Sequence, residues 1–69
     1  MNLVINGEER TLDTQQVGTV SELMDVLEIE ASRGVAVAVD DGVVPRSRWS
    51  EVRLRDGSRV EIIRATQGG

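Results

Sequence analysis

The sequence predicts an α+β domain: a mixed sheet of four to five strands with one helix across one face. Three observations predict it. The X-Gly pairs Asn6-Gly7, Asp41-Gly42 and Asp56-Gly57 divide the chain into short runs, and such pairs tolerate the positive φ that tight turns require. One run alone carries a helical apolar period. The runs on either side of it are short, β-branched and alternating.

The elements follow in order. Asn2 to Ile5 reads as a strand, Asn6-Gly7 turns it, and Glu9 to Asp13 reads as its antiparallel return. Thr19 and Glu22 then form an S/T-x-x-E capping box, in which each side chain satisfies a backbone N–H of the other residue. Val20, Leu23, Met24 and Leu27 follow at i, i+3, i+4 and i+7, which makes one apolar stripe on a helix from about Thr19 to Leu27. Glu28 to Gly34 is polar and reads as a loop. Val35-Ala36-Val37-Ala38-Val39 alternates β-branched with small apolar residues. This suits a strand flanked on both sides, its Val face under the helix and its Ala face shallow. Asp41-Gly42 is expected to turn into Val43-Val44. Pro45 lacks an N–H and forces Val44 to be extended, so that strand is short and lies at an edge. Ser47 to Val52 suits a helical turn. Asp56-Gly57 turns into a last strand from Arg59 to Thr66, with Val60 and Ile62 on one face and Arg59, Glu61 and Ile63 on the other.

The order is β-β-α-β-β-β, and the β-grasp topology fits it best. The last strand then lies beside the first, in the middle of the sheet. Residues 1–64 form the domain, and residues 65–69 form a flexible tail ending in Gly68-Gly69.

Composition narrows the function. The chain has 69 residues with neither Cys nor His. It is one small domain with a thin core. A Ser-His or Cys-His pair cannot be built, and a structural zinc site has no soft ligands. No disulfide framework exists. The net charge is −4 with a single aromatic residue and no Lys, which suits neither phosphate neutralisation nor base stacking, so no nucleic-acid partner is expected. The charge is uneven. Residues 1–45 hold nine acids and two Arg, whereas residues 46–69 hold three acids and six Arg. This is a solvated surface or a basic region near the tail that steers a partner. No apolar run approaches the roughly 20 residues that span a bilayer, and no signal peptide is evident. A cytoplasmic protein without a membrane partner is expected.

The tail carries the chemistry. Five extended residues reach at most about 16–18 Å, enough to enter a partner's pocket. Glycine has no Cβ, so Gly68 and Gly69 can thread a narrow channel. A carboxylate is a poor electrophile, and joining it to AMP supplies a leaving group. ATP, metal and base must come from a partner, because this chain has no group for that work. A sulfur nucleophile would leave a thiocarboxylate on Gly69.

Several stretches together resemble the ThiS family, the sulfur carriers of thiamine biosynthesis. They are Val35 to Val39, the segment Val43-Val44-Pro45-Arg46-Ser47-Arg48-Trp49, Leu54 to Gly57 through Ile62, and the Gln67-Gly68-Gly69 end. The Gly-Gly end is shared by all ubiquitin-like modifiers, whereas the V-V-P-R-S-x-W segment is more specific. Asp40-Asp41-Gly42 departs from the Asn or shorter turn expected of the family. The resemblance implies a ubiquitin-like β-grasp fold and a protein co-substrate in place of an enzyme. It implies adenylation of Gly69 by a ubiquitin-activating-type adenylyltransferase that uses ATP and Mg, no cofactor being held by the carrier itself. It implies sulfur from a persulfide donor and delivery to thiazole synthase. Gly69 is then the modified residue, and Gly68 and Gln67 give access to it. Carriage of sulfur for molybdopterin or cysteine synthesis, ubiquitin-like modification of other proteins, and a plain binding module are the alternatives.

Three further residues are candidate partner contacts. Ile63 alternates onto the sheet face away from the helix, where Val4 could extend an apolar patch. Arg46 could meet a carboxylate of a partner or a local one. Trp49 suits a plug over the open end of the core, or else an anchor for a partner.

Overall fold

The computed structural model describes residues 1–29 and 34–64. Five strands make one sheet: β1 (Asn2–Ile5), β2 (Glu8–Thr11), β3 (Val35–Val39), β4 (Gly42–Val44) and β5 (Arg59–Arg64). Among the described residues a single α-helix, α1 (Val20–Val26), follows β2, and a 3₁₀ turn covers Arg46–Arg48. The sheet order is β2-β1-β5-β3-β4. β5 runs parallel to β1, and every other pairing is antiparallel. The last strand is therefore central, as the element order predicts.

The turns explain the register. Asn6 (φ 51°) and Gly7 (φ 83°) form a two-residue loop closed by the Ile5–Glu8 pair, the positive-φ hairpin that Asn-Gly favours. The second hairpin corrects the sequence reading. Gly42 is the first residue of β4, paired with Val39, and the loop is Asp40-Asp41 with φ of 48° and 69°. Two aspartates hold this left-handed region with both carboxylates bonded to one residue of β5. Asp40 Oδ1 accepts from the Arg59 N–H at 2.9 Å, and Asp41 Oδ2 accepts from the Arg59 guanidinium at 2.8 Å.

The helix is seven residues long, and both ends are tied down. The Glu22 N–H donates to Thr19 Oγ1 (3.2 Å), and Glu22 Oε1 accepts from the N–H groups of Thr19 (3.0 Å) and Gly18 (2.9 Å). The capping box thus holds a helix too short to persist alone. The N–H groups of Val20 and Ser21 donate to the carbonyls of Val52 and Trp49. The segment after β4 therefore satisfies the remaining free donors of the helix start. At the other end Glu28 takes φ 59°, the Ile29 N–H reaches the Met24 carbonyl, and the Glu28 N–H reaches the Asp25 carbonyl. This is a Schellman stop with Glu where Gly is usual, so the helix ends without a glycine to announce it.

The core lies between α1 and one sheet face. Leu3, Ile5, Val37, Val60 and Ile62 meet Val20, Leu23 and Met24, and Val17, Val44, Trp49 and Leu54 close the open end. Leu27, the fourth residue of the predicted stripe, is half-buried. The edges are protected against further pairing. β2 is exposed throughout and reads Glu-Glu-Arg-Thr, whereas β4 has three residues and stops at Pro45.

Candidate functional site

β5 is the last described element before the Gly-Gly end, so the site is built from its two edges and its outer face. On one edge β3 pairs with it as far as Val35–Arg64. On the other edge the β1 ladder ends at Ile5–Val60, after which Asn6 turns away. Val60 and Ile62 point into the core. Arg59, Glu61 and Ile63 alternate outward, and Ile63 is 60% exposed.

Ile63 does not stand alone. Ala36 pairs with it across the β3–β5 ladder, and Ala38 pairs with both Glu61 and Val43. Val43 is 77% exposed. The outer face thus carries Ile63, Ala36, Ala38 and Val43 on adjacent strands, with no helix over it among the described residues. The alanines keep it shallow. Charge lies beside it, at Glu61 and the exposed Arg59–Asp41 pair. Val43 was open to discovery from sequence: of two adjacent valines on an edge strand, one must face outward.

Arg46 and Trp49 lie elsewhere. Together with Met24, Asp25 and Glu28 they line an open groove of about 560 Å³ beside the helix, across the sheet from Ile63. Trp49 is 4% exposed, and its Nε1–H donates to the Val44 carbonyl at 3.0 Å. It sits in the core, in the place of the plug of the two readings. Burial inside the domain leaves almost no surface to offer. Arg46 is exposed. Gln67, Gly68 and Gly69, and the last two residues of the predicted final strand, lie outside the described residues.

The family model for ThiS matches residues 3–69, essentially the whole chain. The chain belongs to the ThiS family. It is 31% identical over 51 residues to the sulfur carrier protein ThiS of Escherichia coli, covering 74% of this chain and 76% of that one. It is also 41% identical over 69 residues to a thiazole synthase of Paramagnetospirillum magneticum. That match takes in all of this chain but only 20% of the relative, so the chain spans about a fifth of that protein's length. Among solved structures, the crystal structure of the thiamine biosynthesis protein ThiS of Geobacter metallireducens superposes with a TM-score of 0.83 at 30% identity, over 100% of both chains. A solution structure of a thiamine biosynthesis protein from the same organism gives 0.81, covering 100% of this chain and 88% of that one. The ubiquitin-like β-grasp fold read from the element order is therefore that of the ThiS structures. The domain is a ThiS-type sulfur carrier of thiamine biosynthesis. Among the described residues no helix is long and apolar enough to cross a membrane.

Proposed function

We propose that the carboxylate of Gly69 is the sulfur-carrying group, and that its sulfur goes to thiazole formation. The observation that carries this reading is that the family match runs through Gly69 itself. An adenylyltransferase joins the carboxylate to the AMP of ATP and releases pyrophosphate, with Mg balancing phosphate charge. The terminal sulfur of a persulfide attacks the acyl carbon and AMP leaves, giving an acyl disulfide. A thiol of the donor or the activating enzyme then cleaves that S–S bond, becoming a disulfide itself and leaving a thiocarboxylate on Gly69. Gly68 and Gln67 provide the approach, because a residue without Cβ fits a channel that larger side chains would block.

Thiazole synthase is the acceptor in this reading. The support is the relative of that name, which contains within one chain a segment matching the whole of this one. The activating enzyme docks on the outer sheet face around Ile63 and Val43. A tail of five residues spans at most about 16–18 Å, so the enzyme that acts on Gly69 must sit close to the end of β5, where this apolar face is open. Arg46, across the sheet, is left for a weaker polar contact.

The test is the intact mass of the chain ending at Gly69, after incubation with ATP, Mg, the adenylyltransferase and a persulfide donor. Exchange of one oxygen for sulfur is expected, and deletion of Gly69 abolishes it. Attachment of the chain to protein lysines would establish the modifier alternative instead. An unchanged mass with an active adenylyltransferase would overturn the reading.

A further inference from the structure

We infer that Asn6 is a positioning residue for the reaction at Gly69: its side-chain amide clasps β5 where the β1 ladder has stopped. This rests on the reading of Gly69 given above. The hydrogen bonds follow a sequence along the β1 edge of β5. The Val4 N–H donates to the Ser58 carbonyl (3.0 Å) and the Asn6 N–H to the Val60 carbonyl (2.9 Å). A continued parallel ladder would take the Ile62 N–H to the Asn6 carbonyl and the Ile62 carbonyl to the N–H two residues further on, but the chain has by then entered its turn at Asn6, with φ 51°. The Asn6 side chain takes that place. Its Nδ2–H donates to the Ile62 carbonyl at 3.2 Å, and its Oδ1 accepts from the Ile62 N–H at 2.8 Å. A primary amide is the side chain that copies both polar groups of a peptide unit.

The turn requirement does not explain these bonds. Glycine would accept the positive φ at least as well and would leave both Ile62 groups unpartnered on that edge. Both bonds are partly buried, so water replaces them poorly. Their position links them to function. Ile62 is seven residues before Gly69, and beyond it, among the described residues, β5 is held by β3 alone, through Ile63 and Arg64. A strand end held on both edges leaves the domain in one direction. Held on one edge only, it can twist or fray, and a tail that must enter a partner's active site loses its aim.

The experiment compares Asn6→Gly and Asn6→Asp with wild type in adenylation of Gly69, at a temperature where all three are folded. Asn6→Gly keeps the turn and loses both bonds. Asn6→Asp keeps the acceptor and loses the donor, and it serves if the glycine variant fails to fold. The inference expects faster amide exchange at Ile62, a KM near wild type because the docking face is intact, and a kcat lower by about 10- to 100-fold for Asn6→Gly. The kcat should stay low when sucrose restores the variant's melting temperature to the wild-type value. Recovery of kcat with that restored stability would overturn the inference, as would an unchanged Ile62 exchange rate. If wild type itself is not adenylated, the reading of Gly69 fails instead, so the two failures are distinguishable.

Discussion

Replacing Ile63 by Thr tests the docking face directly. Thr keeps the β-branched shape that suits a strand but takes most of the apolar surface away. Full burial of an Ile side chain is worth about 1.5–3 kcal/mol. Ile63 still has 60% of its surface to cover, so a partner that covers it gains about 1–2 kcal/mol from this residue. The expected result is a rise in KM for the carrier of about 5- to 30-fold. The substitution leaves the core untouched, so folding stability should stay within about 0.5 kcal/mol of wild type. Pyrophosphate release by the activating enzyme, followed against carrier concentration, reads the KM, and thermal melting checks the fold. Val43→Thr is the companion variant, because Val43 lies on the same face two strands away and is the more exposed of the two. An unchanged KM for both variants would show that the activating enzyme docks elsewhere. The acidic helix-side groove at Arg46 would then be the surface to test next.

Two predictions concern the frame behind that face. Trp49→Phe removes the Nε1–H that meets the Val44 carbonyl and shortens the plug, so it should cost about 1–3 kcal/mol, seen as a lower midpoint in urea. Thr19→Ala removes the acceptor for the Glu22 N–H and breaks the capping box. It should cost about 1 kcal/mol, which for a domain of this size lowers the melting temperature by about 4–8 °C, with KM for the activating enzyme unchanged.

Much of this protein was legible in its sequence because the deciding interactions are local. The capping box at Thr19 and Glu22 involves residues three apart. Asn6-Gly7 specifies its own hairpin through backbone sterics, and Pro45 ends β4 by lacking a donor. The alternation of Val60, Ile62 and Ile63 sorts each onto its face once a strand is granted. The absence of Cys and His removes whole classes of catalysis whatever the fold. The V-V-P-R-S-R-W stretch and the Gly-Gly end pointed to the family that residues 3–69 match.

Where an answer depended on partners far apart in the chain, sequence alone was not enough. The loop of the second hairpin moved from Asp41-Gly42 to Asp40-Asp41 because Arg59, in another strand, supplies both aspartates with hydrogen bonds. Trp49 proved to be core because the Val44 carbonyl meets its Nε1–H inside the domain. The helix stop at Glu28 is made by backbone bonds that no glycine marks. Pairing across the sheet turned Ile63, Ala36, Ala38 and Val43, up to 27 positions apart in sequence, into a single open face. The same long-range pairing gave Asn6 a second role. Its backbone conformation is a local preference that the Asn-Gly pair announces, but the grip of its amide on Ile62, 56 residues away, exists only once the first and last strands lie side by side.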